Sequence, residues 1–277
     1  MIKIVCFDLD GTLLTDDKKI LKENLEAIKK AKESGIEIVI CTGRQNIAAK
    51  KFNELIGNNK YIICNNGAEI LDTESGEELF ACHIDREIAK ILYSWIINDE
   101  GIVNFKFDTK YARYIDKRDS MLDYKVEFDK ADDKFFDKND ILQMSVVFNS
   151  KINREKFIEK TKTLYGIKIE NVFSLINPKT GEEQFYLNVI NSSVSKGNGI
   201  NGLAKYLKVN MDNVACFGDD INDLSMVKMV GHGIAMGNAI DILKENAKEV
   251  IENNNEPGIA RVLERFMKEN ELEKNNN

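Results

Sequence analysis

The stretch CFDLDGTLLTDD, residues 6–17, follows an apolar opening at residues 1–5. It sets two aspartates one residue apart, Asp8 and Asp10, ahead of Gly11 and Thr12. Like charges at the end of a buried strand repel, and burial makes that repulsion more costly. A turn accounts for Gly11 and for one aspartate as a local cap, but not for both carboxylates. Asp16 and Asp17 read as solvent-facing loop. The close pair asks for a compensating partner, which the rest of the chain must supply.

Working outward, strand-like and helix-like stretches alternate. The opening strand is followed by a helical pattern over residues 18–34, stopped by Gly35. Then come the apolar run IEIVIC at 36–41, a helix near 46–56 and the run YIIC at 61–64. Such nearly continuous apolar runs are the pattern of parallel strands covered on both faces. The same grammar returns after Ser195, with a helix at 199–207, a strand at 213–217 and a helix at 222–229. Short strands at 233–236 and 249–251 and a closing helix at 258–268 complete it. The alternation predicts an α/β fold with a doubly wound, Rossmann-like parallel sheet.

Residues 83–187 differ. They hold the only tryptophan, Trp95, most of the aromatics and a charged, loop-like tract at 116–140. Helices at 87–98 and 154–165, with strands at 102–107, 142–148, 171–176 and 184–189, predict a second α/β (α+β) module with a more antiparallel sheet. It is inserted into the first, giving a core of residues 1–82 and 188–277 around an insert of 83–187.

Composition narrows the function. The 277 residues are 43% apolar and 31% charged, enough apolar matter for a real core. A net charge of −7, from 39 basic and 46 acidic residues mixed along the chain, gives no long-range attraction for nucleic acid or an anionic membrane. No apolar run is long enough to cross a bilayer and no leader pattern opens the chain, so a cytoplasmic protein is expected. The five cysteines lack C-x-x-C spacing and read as reduced, mostly buried thiols. The two histidines, His83 and His232, stand in no triad pattern. The Asn-rich ending EKNNN reads as a frayed tail.

The polar residues fall at the ends of the predicted core strands. Asp8 and Asp10 end the first, Thr42, Gly43 and Arg44 the second, and Asn65, Asn66 and Gly67 the third. Gly218, Asp219, Asp220, Asn222 and Asp223, within FGDDIND, end a later one. In an open parallel sheet the carboxyl ends of the strands form one edge, where ligands bind. Up to five carboxylates would meet there, and a divalent cation relieves their repulsion. Oxygen ligands without cysteine or histidine favour a hard ion, and Mg²⁺ suits a site that leaves room for substrate phosphate. A metal beside a free carboxylate points to phosphoryl transfer. Lys196, opening a helix, and the Thr42 hydroxyl are candidates to meet phosphoryl oxygens.

The motifs DLDGTLL, CTGR, SKGNGI and GDDIND stand in the order of the four motifs of the haloacid dehalogenase-like (HAD) phosphatases. CNNGA, AMGNA at residues 235–239 and the insert resemble the Cof-type branch, subfamily IIB with a C2-type cap. The resemblance implies a HAD core with a substrate-specificity cap and a Mg²⁺-dependent phosphatase working through an aspartyl-phosphate. Asp8 would be the nucleophile and Asp10 the general acid/base. Asp8, the Asp10 carbonyl, Asp219 and Asp223 would hold the metal, and Thr42, Gly43, Lys196 and Asn222 the phosphate. Leu9, Arg44, Asn66 and Asp220 are further candidates. The implied substrates are small phosphorylated metabolites, sugar phosphates or phosphorylated cofactors. A sugar phosphomutase and a non-catalytic phospho-ligand sensor are the alternatives.

Two patterns compete with this reading. Gly197, Gly199 and Gly202 satisfy G-x-G-x-x-G, but the polar stretch ahead of them is no dinucleotide-binding strand. The aromatic and basic stretch at 107–125, with Tyr111, Arg113 and Tyr114, reads as a loop packed on the insert's sheet. Its alternative is a role in substrate selection.

Overall fold

The computed structural model describes residues 1–116, 125–128 and 131–275. Part of the predicted charged tract, part of the 107–125 stretch and the last two asparagines lie outside them. Contacts divide the chain into two compact units, Met1–Phe80 with Ser195–Asn277, and Ala81–Val194.

The first unit opens with β1 (Ile4–Phe7), α1 (Lys22–Glu33), β2 (Glu37–Cys41), α2 (Asn46–Leu55) and β3 (Tyr61–Cys64). β4 (Glu69–Asp72) and β5 (Glu78–Ala81) follow. Helix α1 buries Asn24, Ala27, Ile28 and Ala31, spaced three and four apart as one apolar face requires. It starts four residues later than the pattern at 18–34 predicts. Residues 15–19 are tied into a turn in which Lys18 has left-handed backbone (φ 59) and the Lys18 amide donates to the Thr15 carbonyl.

The second unit contains α3 (Arg86–Ile97), β6 (Ile102–Asp108), β7 (Arg113–Asp116), β8 (Lys125–Phe128), α4 (Asp133–Lys138), β9 (Gln143–Phe148), α5 (Lys151–Thr161), β10 (Ile167–Ile176) and β11 (Glu183–Asn191). Its strands run in the order β10-β11-β9-β6-β7-β8, antiparallel except for the β7–β8 pair. Phe105, Phe107, Val146, Phe148 and Leu187 meet Leu92 and Ile96 of α3 and Phe157 of α5 in one apolar cluster. The tract at 116–140 is not simply loop: it contains β8 and α4, the latter capped by the Asp132 carboxylate accepting from the Phe135 amide. The insert also runs past residue 187, because β11 keeps its pairing through Ile190↔Gln143 and Ile167↔Asn191.

The chain then returns to the first unit with α6 (Lys196–Tyr206), β12 (Val214–Gly218), α7 (Leu224–Met229), β13 (His232–Ala235), α8 (Asp241–Asn246), β14 (Glu249–Val250) and α9 (Gly258–Asn275). Helix α8 has no counterpart in the sequence reading. Helix α9 runs well past residue 268, so the expected frayed tail is helical as far as Asn275. The eight strands order β14-β13-β12-β1-β2-β3-β4-β5. They are parallel from β14 to β3, and β4 turns back antiparallel to β3. Alternate residues feed opposite faces. Val5, Phe7, Ile38, Ile40 and Phe217 pack with Ile28 of α1 and Phe266 of α9. Ile4, Cys6, Val39, Cys41 and Cys216 pack with Ile200 and Leu203 of α6 and Met226 of α7. The sheet is thus covered on both sides, the condition that produced the unbroken apolar runs. All five cysteines are free thiols, and Cys82 alone is not fully buried.

Register fixes the site. Phe7 lies opposite both Ile40 and Phe217, its ring stacked on that of Phe217 at 5.0 Å. The residues that follow these three therefore emerge together at one edge. Among the described residues no helix is long and apolar enough to cross a membrane.

The two ends of the chain are tied by one side chain. The Ile2 amide donates to Asn270 Oδ1 and Asn270 Nδ2 donates to the Ile2 carbonyl, each at 2.7 Å and buried. Asn270→Ala should strand both backbone groups and lower unfolding free energy by about 2 kcal/mol. Urea titration of the two proteins tests this, and an unchanged midpoint would contradict it.

Candidate active site

β1 delivers Asp8, α6 delivers Lys196 at its first turn, and the loop after β12 delivers Asp219 and Asp223. Lys196 is fully buried, and its Nζ donates to Asp8 Oδ1 at 2.5 Å and to Asp223 Oδ1 at 2.6 Å. The other Asp223 oxygen accepts the Asp219 and Asp220 amides at 2.9 and 3.1 Å. Asp219 Oδ1 accepts the Thr12 hydroxyl at 2.6 Å. Gly11 sits at φ 86, where a Cβ would overlap the Asp219 carboxylate. A left-handed glycine is thus what lets the first loop pass this close to the later one.

Ligand atoms of Asp8, Asp219 and Asp223 all lie within 4.8 Å of one another. Three carboxylates face one ammonium, so the ionised cluster carries a net charge of −2. Burial raises Asp8 well above the ordinary carboxylate range, and Asp223 and Asp219 add to this against the opposing pull of Lys196. Burial, with Asp223 beside it, lifts Asp219 to about 7 although Thr12 pulls the other way. For Lys196, burial works against the charge, yet the two carboxylates more than offset it and hold the ammonium form. A divalent cation neutralises the excess charge, and an all-oxygen donor set suits a hard one. The residues fit such an ion.

Asp10 stands apart from this trio. Arg44 grips it at both oxygens, Nε to Oδ2 at 2.7 Å and Nη2 to Oδ1 at 2.6 Å, and Lys18 Nζ adds a third contact at 2.8 Å. Partial burial would raise its pKa, but these hydrogen bonds and charges win and hold Asp10 at about 2. The Arg44 guanidinium also lies over the Phe52 ring, 4.8 Å from its centre.

The remaining candidates sort by geometry. Thr42 is buried, its hydroxyl accepting the Arg44 amide at 3.2 Å, and Gly43 lies beside it in the same loop. Asn222 Nδ2 donates to Asn66 Oδ1 at 3.0 Å. Asp220 is not brought into the carboxylate trio. Its side chain caps the short 3-10 turn at Ile221–Asp223 by accepting the Ile221 amide at 2.7 Å. The Leu9 side chain is fully buried in the apolar cluster, which leaves only its backbone to meet a ligand. Gly197, Gly199 and Gly202 lie inside α6, where Gly199 admits Ile63 and Gly67 at close range.

Sequence reasoning missed the residues that brace the first loop. Lys18 is one. Asn238 Nδ2 holds the Gly11 carbonyl at 2.8 Å, and Asn254 Nδ2 holds the Leu14 carbonyl at 2.9 Å. Asn254 and Asn255 together grip Asp16, which is exposed but tethered rather than idle. Asn238 falls within AMGNA, whereas the run at 253–255 reads only as loop.

Asp219 generates a pH prediction. Its folded value of about 7 exceeds its ordinary 3.8, so the folded state binds an extra proton between them. That contribution to stability is complete below about pH 4 and is lost as pH rises through about 7. EDTA-treated protein should melt lower as pH rises across this window. Added MgCl₂ should raise the melting temperature more at about pH 8 than at about pH 5, and Asp219→Asn should flatten the difference. Equal stabilisation at both values would count against the carboxylate trio as the cation site.

Known proteins resemble the chain along nearly its whole length. The chain matches the haloacid dehalogenase-like hydrolase family over residues 5–263. It is 28% identical over 271 residues to the 5-amino-6-(5-phospho-D-ribitylamino)uracil phosphatase YcsE of Bacillus subtilis, covering 96% of each chain. It is 27% identical over 289 residues to the phosphatase YwpJ of the same organism, covering 96% of this chain and all of that one. A solved haloacid dehalogenase-like hydrolase from B. subtilis superposes with a TM-score of 0.78 at 25% identity, covering 95% of this chain and 99% of the other. The chain belongs to the haloacid dehalogenase-like hydrolase family and is one of its phosphatases.

Proposed function

We propose that the protein hydrolyses small phosphomonoesters with Mg²⁺ bound, through a phosphoryl group carried on Asp8. The observation that carries this reading is the buried Lys196 ammonium, shared by Asp8 and Asp223 beside Asp219. Asp8, Asp219 and Asp223 would hold the ion with the Asp10 carbonyl. When bound, the ion withdraws charge from the phosphoryl oxygens and relieves the carboxylate repulsion.

In the first half-reaction an Asp8 oxygen attacks phosphorus and the bond to the leaving oxygen breaks. Asp10 gives that oxygen its proton. In the second, Asp10 takes a proton from water as the water oxygen attacks the same phosphorus. Inorganic phosphate leaves and the Asp8 carboxylate is restored. Lys196 offsets charge on the transferring group, and Thr42, the neighbouring Gly43 and Asn222 offer hydrogen bonds to its oxygens. As clamped, Asp10 is ionised and both its oxygens are engaged, so in either role it must first be freed from Arg44 and Lys18, and to act as the acid it must also be protonated.

The unit Ala81–Val194 selects the leaving group in this proposal. Sugar phosphates and phosphorylated cofactors are the substrate class, and the name of the YcsE relative, a phosphorylated ribitylamino-uracil phosphatase, supports a polyol phosphate. Purified protein with MgCl₂ should release phosphate from p-nitrophenyl phosphate and from members of a phosphorylated-metabolite panel. EDTA should abolish release, and Asp8→Asn should reduce it at least about a thousandfold. Full activity in Asp8→Asn would overturn the mechanism. Conversion of a hexose 1-phosphate to its isomer without free phosphate would replace hydrolysis by mutase chemistry.

A further inference from the structure

The turn after β3 runs through left-handed backbone at three successive residues. Asn65, Asn66 and Gly67 follow one another with φ of 50, 58 and 96, so two residues with side chains lie in the left-handed region. All three are buried. The turn is held from several directions within the first unit. The Asn65 amide donates to the Arg44 carbonyl and the Asn66 amide to the Thr42 carbonyl, both at 3.0 Å. A Cβ on Gly67 would overlap the Ser195 carbonyl oxygen, one residue ahead of Lys196. The Asn66 side chain completes the set by accepting from Asn222. One tight turn therefore touches the Thr42 loop, the start of α6 and the Asp219–Asp223 loop.

Asn66 has more to give than it spends. Its Oδ1 is engaged by Asn222, while its fully buried Nδ2 has no hydrogen-bond partner among the described residues. A buried amide donor left unpaired is unfavourable, and the natural remedy at such an edge is an acceptor supplied from outside the chain. Because Asn66 presents its oxygen to Asn222, the NH₂ end of Asn222 is fixed in place. Among the described residues, one N–H of Asn222 and both of Asn66 stay unspent. A pair so rich in donors suits an anion.

We propose that Asn66 is a positioning residue for the phosphoryl group, orienting the Asn222 amide so that its N–H end serves the anion. This rests on the phosphoryl-transfer reading and adds a residue to it. It also explains the strained turn, which places one asparagine against Asn222 while its amide anchors the Thr42 carbonyl.

The test is a double-mutant cycle of Asn66→Gly and Asn222→Ala. Glycine adopts φ near 58 without strain, so Asn66→Gly removes the side chain and keeps the turn. Two quantities are read: kcat/KM for p-nitrophenyl phosphate, and Kd for inorganic phosphate by calorimetry. Each single variant should lose about tenfold in both, and the double variant should lose no more than Asn222→Ala alone. Losses that multiply in the double variant, or an Asn66→Gly with wild-type values, would each overturn the assignment. Phosphate affinity is read without turnover, so an active Asp8→Asn would sink the proposed reaction while the binding cycle still decides Asn66. No phosphate binding by the wild type would overturn both.

Discussion

The site depends on one ammonium group buried between two carboxylates. Lys196 has no exposed surface, and its contacts reach Asp8 188 residues earlier and Asp223 27 residues later. An unpaired charge in that position would be strongly destabilising, so the lysine is tolerable only where both partners are held in place. Each partner is delivered by different means: Asp8 by the parallel register of β1 with β2 and β12, Asp223 by backbone amides donated from its own loop. The interaction thus ties the early and late halves of the first unit at the edge where their strands end. It also leaves an excess of negative charge, because Asp219 joins without a cation of its own. The same constraint that fixes the geometry leaves the excess charge that a divalent ion would offset.

The loops that carry the cluster are held close by crowding. Gly11 passes so close to Asp219 that no side chain fits, and Gly67 does the same against Ser195. Side-chain amides then lock the loops: Asn238 on Gly11, Asn254 on Leu14, and Asn66 on Asn222. Asparagine suits this work because it donates and accepts without adding charge to a cluster that already has too much. Loops built this way have little freedom to relax, as a site that keeps like charges close together requires.

Much of this was legible in the residues, for a definite reason. Parallel strands covered on both faces must be apolar throughout, so IKIVCF, IEIVIC and VACF announced themselves, and the polar residues at their ends could be assigned to one edge. What escaped were features set by tertiary contact. Lys18 looks like the start of a helix, and its left-handed backbone and reach to Asp10 follow from the turn at Thr15. Asp220 resembles its neighbours in composition but is diverted into capping a short turn. Strands β4 and β5 are short, and α4 and β8 lie in a tract whose charge masks its pattern. The end of β11 runs as far as it does because of pairing partners distant in sequence.

The unresolved tension in the site is between Asp10 and Arg44. As paired, Asp10 is fully ionised at neutral pH and has no proton to give, whereas the proposed reaction needs that carboxyl to donate before it accepts. Movement of the whole loop would be costly, because the Arg44 amide is held by Thr42 Oγ1 and its carbonyl by the Asn65 amide. The Arg44 side chain is partly exposed and rests on the face of Phe52. In the proposed reaction, release of Asp10 therefore belongs to torsion of the Arg44 and Lys18 side chains that hold it, not to movement of the loop.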